Sequence, residues 1–216
     1  MDLFPFLSTV WIYGINIGLH VISALIAFLV SFYGNKAYNL TNERKYKFFS
    51  LAFLLLGMAQ IGRAIADTVL YQSLSAFPSY YTPKIDLFFL SHMAAIVLFL
   101  LGYLGFVIVY FDIKDKLLMF LMAALTFFAA VYGYSYLVKF DIIAVMLLSI
   151  LFCFGYKNYL KKKSTNSMLV LAAFGLLLVS HILYMLLELN VRFYSIGNVL
   201  QLAAYSALLL MLSRIK

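Results

Sequence analysis

The sequence predicts an all-α fold, a polytopic bundle of seven transmembrane helices, on three observations. First, of its 216 residues 66% are hydrophobic and only 11% charged, with a mean hydropathy of +1.01. Soluble domains carry about 45–50% apolar and about 25% charged residues. A chain this poor in polar side chains cannot cover its own surface in water, so the bilayer is its expected solvent. Second, its apolar runs are continuous over about 20 residues, the length a helix needs to cross the hydrocarbon core. A closed barrel would show short alternating segments instead. Third, most of the charges fall in the short connections between those runs.

Taken in order, the apolar runs predict spans at 9–34, 47–71, 86–111, 116–137, 141–157, 167–189 and 194–213. The N-terminal MDLFPFLSTVW has no basic region and no clear small-residue cleavage site, so it reads as mature protein rather than a signal peptide. Lys36, Arg44, Lys45 and Lys47 lie between spans one and two, and Lys114 and Lys116 between three and four. Lys157, Lys161, Lys162 and Lys163 lie between five and six, and Arg214 and Lys216 end the chain. Twelve of the sixteen Lys and Arg thus share one side, opposite Lys84, Lys139 and Arg192, while Arg63 falls inside a span. The positive-inside rule makes the basic side cytoplasmic, with the N-terminus out and the C-terminus in. The net charge of +8 is therefore a topology signal and not a sign of nucleic acid. The sequon Asn39-Leu40-Thr41 falls in a cytoplasmic loop, where it stays unglycosylated. A multi-pass protein of the cell membrane follows. The single Cys153 excludes an intramolecular disulfide.

No segment outside the spans is long enough to fold alone; the longest, 72–85, is an interfacial flap at most. The chain is expected to be one transmembrane domain, 1–216, with an internal parallel repeat. A shift of 121 residues places Tyr33-Gly34-Asn35-Lys36-Ala37-Tyr38 over Phe154-Gly155-Tyr156-Lys157-Asn158-Tyr159. The same shift places Ala52, Phe53, Leu55 and Leu56 over Ala173, Phe174, Leu176 and Leu177, Gln60 over His181, and Asp67 over Glu188. A shift of 109 places His92-Met93-Ala94-Ala95 over Gln201-Leu202-Ala203-Ala204. Repeat one would cover 9–111, a linker helix 116–137, and repeat two 141–213.

This 3+1+3 topology is similar to that of the SWEET sugar transporters and of the microbial rhodopsins. The likeness is one of topology, because the motifs of both families are missing. Pro5, Pro78 and Pro83 lie outside the spans that would carry the Pro-Gln pair of the first family. The seventh span has only the terminal Lys216, so no retinal Schiff base is expected. The zinc hydrolases of the adiponectin-receptor and ceramidase group carry a paired HxxxH in a late helix, where this chain has SHILYMLLE.

An ionisable group at mid-membrane costs at least about 2.5–3.5 kcal/mol, so each needs a partner or a cavity. Here such residues gather in the outer half of the spans: Asn16 and His20; Gln60, Arg63 and Asp67; His92 with Asp86 at its mouth. The sixth span adds His181, Tyr184 and Glu188, and the seventh Asn198, Gln201 and Tyr205. The spacing of Gln60, Arg63 and Asp67 puts them on one helix face. The inner halves, such as AFLVSF and SLAFLLLG, are nearly devoid of polar groups. An outward-facing ligand pocket built of Gln60, Arg63, Asp67, His92, His181, Tyr184, Glu188, Asn198 and Gln201 is therefore the leading expectation, in a receptor-like or sensory protein for a small polar or ionic ligand. Against it stands an ion pair of Arg63 with Asp67 or Glu188 acting only as helix glue. With no soluble output domain, signalling would need a cytoplasmic or membrane protein partner at the basic loops.

The other expectations are a secondary transporter with rocking halves, a metal- or haem-dependent membrane enzyme, and a structural subunit of a membrane complex. Three imidazoles, His20, His92 and His181, could hold zinc or copper, and an opposed pair could ligate haem. None has a second histidine one turn away, and the repeat exchanges His for Gln, so hydrogen bonding without a cofactor is the expected role. No catalytic residue is assigned, because Ser91-His92 and Ser180-His181 diverge by about 100° on a helix.

Overall fold

The structure, a computed structural model, describes the backbone of residues 3–75, 83–131, 136–187 and 189–213, and the side chains of 11–73, 86–129, 139–187 and 189–213. Seven helices make up the described chain: α1 Leu3–Thr41, α2 Arg44–Ser75, α3 Pro83–Phe111, α4 Lys116–Val131, α5 Tyr136–Lys162, α6 Thr165–Met185 and α7 Arg192–Ser213. Six of them are long and apolar enough to cross a membrane, as fits a multi-pass integral membrane protein. The exception is α4, whose 16 described residues span about 24 Å at 1.5 Å per residue, against a hydrocarbon core of about 30 Å.

Six helices form a closed ring in the order α1, α2, α3, α5, α6, α7 and back to α1. Among the described residues α4 lies outside it, against α3 and α5. The ring is filled by large apolar side chains, among them Phe53, Phe99, Phe106, Phe140 and Phe174, all essentially inaccessible. Close approach of α2 and α3 depends on small residues: a methyl group on Gly105 would stand 3.0 Å from Ala52 Cβ, and one on Gly62 3.1 Å from Ala95 Cβ. The outer surface is equally apolar, with Phe32, Phe120, Leu125 and Phe128 at least 65% exposed. Oily outside and oily inside, the bundle is suited to lipid contact.

The helix ends gather at two poles. Lys45, Tyr110, Val170 and Leu212 line one cavity, and Tyr110, Lys157 and Lys161 line another, so the basic turns share a pole. Two of those turns are built alike. Asn42 after α1 and Lys163 after α5 both adopt left-handed backbone, at φ 56° and 43°. The N–H of Asn42 donates to the Tyr38 carbonyl, and that of Lys163 to the Tyr159 carbonyl, both at 2.7 Å. The α6 start adds a capping box between Ser164 and Ser167.

Candidate ligand-binding site

The buried polar side chains collect in a layer remote from the basic turns. Arg63 stands 19 residues along α2 from Arg44, and His20 stands 21 residues before the end of α1, so both lie about 28–32 Å from that pole. Two histidines anchor the layer. His20 Nδ1 donates to Gln60 Oε1 at 2.7 Å. Its Nε2 lies 3.0 Å from the Tyr194 hydroxyl and 3.3 Å from Asp67 Oδ2. Tyr194 donates in turn to the Asp67 carboxylate at 3.1 Å. Across the ring, His181 Nδ1 donates to Asp141 Oδ1 at 2.8 Å, and its Nε2 accepts from the Tyr103 hydroxyl at 2.8 Å.

Amides join the two ends. Gln60 Nε2 donates to the Tyr205 hydroxyl at 3.5 Å, and Gln201 Nε2 to Tyr205 at 3.2 Å and to Tyr103 at 3.5 Å. One hydrogen-bonded chain thus runs from Asp67 to Asp141 through all six ring helices. The Tyr184 hydroxyl joins it by donating to Asn198 Oδ1 at 2.6 Å, with Gln201 Oε1 3.0 Å away, and Asn198 Nδ2 donates to Asn16 Oδ1 at 3.1 Å.

Proton positions follow from counting donors. His181 is satisfied as a neutral ring, donating to a carboxylate and accepting from a phenol. At His20 the single Tyr194 proton faces both Nε2, at 3.0 Å, and the Asp67 carboxylate, at 3.1 Å.

Two groups in the layer are left over: Asn16 Nδ2 has no hydrogen-bond partner, and neither has Nη1 of Arg63. Arg63 is 4% exposed, yet among the described residues no carboxylate lies within ion-pair distance. Its guanidinium instead faces three rings, 4.6 Å from the Phe99 centroid, 4.7 Å from Tyr184 and 5.7 Å from Phe140. Desolvated cation–π contact contributes about 2 kcal/mol, less than the several kcal/mol that burying the charge costs. The imbalance is what a bound anion would remove.

Of the residues singled out in the sequence, Gln60, Asp67, His181, Tyr184, Asn198 and Gln201 meet in this network together with His20 and Asn16. Arg63 adjoins it through Tyr184. Asp67 does not pair with Arg63, one turn away, but turns to His20 and Tyr194. His92 is half-buried and stacked on Phe88 at 5.7 Å, and Asp86 is exposed. Glu188 lies outside the described residues. No group of three His, Cys, Asp or Glu side chains among the described residues is placed to share a metal ion.

Three members escape the sequence reading: Asp141, Tyr103 and Tyr194. Asp141 sits at the predicted edge of span five, whereas α5 begins at Tyr136 and carries it inside the wall, 6% exposed. The signal was present, since Asp141 stands 121 residues after His20. Tyr103 and Tyr194 carried no signal, because tyrosine in a membrane bundle reads as an interface residue. Comparison of the chain with protein-family models, with curated proteins and with solved structures gives no match.

Proposed function

We propose that this protein is receptor-like and binds a small anionic ligand on Arg63, in a pocket reached from the exterior face of the membrane. The observation that carries the reading is a fully buried guanidinium with aromatic walls, an orphaned Nη1 and no carboxylate partner among the described residues. The polar layer around it supplies hydrogen bonds. The asymmetry of the basic turns supports the orientation, with those turns in the cytoplasm and the N-terminus outside. No cofactor is needed for this role, and a cytoplasmic or membrane protein partner at the basic pole would receive the signal.

Thermal unfolding of the purified protein in detergent, with chloride, phosphate or pyruvate, tests the reading. A bound anion at about 100 times its Kd stabilises by about 2.7 kcal/mol, or about 5–11 °C for a chain of this length. Arg63→Met should lose that response while melting no lower than the unliganded wild type, since it removes an uncompensated buried charge. A structural Arg63 would behave in the opposite way: Arg63→Met would melt early, and any anion response would persist. That pattern overturns the reading.

A further inference from the structure

The two helix triplets agree in register beyond what apolar composition demands. His20 and Gln60 bond between α1 and α2; the positions 121 residues later, Asp141 and His181, bond between α5 and α6 through the same ring nitrogen type. A methyl group on Gly34 would meet Ser50 Cα at 3.3 Å, and one on Gly155 would meet Leu171 Cα at 3.8 Å, again both partners 121 residues on. The left-handed caps Asn42 and Lys163 are offset by the same interval. Exchanging α1 with α5, α2 with α6 and α3 with α7 maps every neighbour pair of the ring onto another. Two bonded pairs, a helix crossing and a turn share one offset, which supports two equivalent halves about a central axis.

Where α2, α3, α6 and α7 face one another, three layers succeed each other. The first is the polar layer with Gln60, His181 and Gln201. Beneath it Phe53, Phe106 and Phe174 close the centre, with ring centroids 5.1 Å apart for Phe53–Phe106 and 5.7 Å for Phe106–Phe174. Beyond these rings, at the basic pole, a cavity of about 240 Å³ lies between the same four helices, walled by Phe49, Val170, Tyr110 and Leu212. Phe49 and Val170 are themselves 121 residues apart, as are Phe53 and Phe174.

We infer that the protein carries its anion across the membrane. The halves rock about the axis, and Phe53, Phe106 and Phe174 form an inner gate that parts toward the vestibule at the basic pole. Packed interfaces switch between discrete arrangements, so a gate of three rings contributed by both halves opens when the halves reorient. This inference rests on anion binding at Arg63, and transport is what it adds.

The test uses the full chain in a Cys153→Ser background, reconstituted in vesicles with chloride, phosphate or pyruvate as tracer. An anion that stabilises the wild type but not Arg63→Met should enter vesicles well above the protein-free rate. Phe106→Cys with Phe174→Cys, on α3 and α6 and so one in each half, is then joined by a short bis-methanethiosulfonate, which forms a reducible disulfide with each cysteine and releases methanesulfinate. Joining should bring uptake down to the protein-free level, and reduction should restore it. Anion-induced stabilisation of the joined protein in detergent shows that it remains folded and liganded. An anion that binds through Arg63 yet does not cross overturns transport and leaves the binding reading intact. Uptake indifferent to the cross-link overturns the gate. If none of the three anions binds, the transport inference falls together with the binding reading.

Discussion

Replacing Asp141 with alanine tests whether the polar layer is held as its distances imply. Asp141 Oδ1 accepts from His181 Nδ1 at 2.8 Å, and His181 is wholly inaccessible. Three rings fix the imidazole, with centroids 5.4 Å away at Tyr103, 5.3 Å at Phe140 and 5.4 Å at Tyr184. So caged, His181 cannot swing to another acceptor when the carboxylate is removed. An unsatisfied buried donor costs about 1–3 kcal/mol. At about 2–4 °C per kcal/mol for a chain of this length, Asp141→Ala should melt about 2–12 °C early. Asp141→Asn keeps an oxygen in place and should lose about 1 kcal/mol or less, the difference between a charge-assisted and a neutral hydrogen bond. The assay is thermal unfolding in detergent of wild type, both Asp141 variants, His181→Ala and the Asp141→Ala/His181→Ala double variant. Pair couplings within helical membrane proteins average about 0.6 kcal/mol and reach about 1.7 kcal/mol. A short, dry contact belongs near the upper figure. Additivity of the two alanine changes within about 0.3–0.5 kcal/mol would refute the pairing.

Other consequences are as direct. A Cβ on Gly197 would press on the Tyr184 ring, with Cδ1 at 2.9 Å, so Gly197→Val should push Tyr184 off Arg63, cost about 1–3 kcal/mol and blunt the anion response in the same melting assay. In the Cys153→Ser background, Asn190→Cys should react with an impermeant maleimide on intact cells, and Lys36→Cys only after permeabilisation; the reverse pattern would invert the proposed orientation.

What the sequence determined by itself is the material and spacing of the bundle. Hydropathy alone locates the six long helices, because a backbone in lipid must satisfy its own hydrogen bonds and a continuous apolar run leaves it one way to do so. Helical periodicity likewise puts Gln60, Arg63 and Asp67 on one face, since their neighbourhood depends on a single helix. Helix ends were less legible. The apolar run predicts a fifth span from 141, but α5 starts at Tyr136, because a polar residue that finds a buried partner no longer marks a boundary.

Only the tertiary structure decided who pairs with whom. Asp67 had Arg63 one turn away and took His20 and Tyr194 instead, which left the guanidinium to Phe99, Phe140 and Tyr184. Tyr103 reaches His181 from a helix far from it in sequence, and Asp141 meets the same ring from a third helix. Such contacts are set by crossing angle, depth and rotation of separate helices. Those are properties of packed pairs, and composition or spacing along one chain does not contain them.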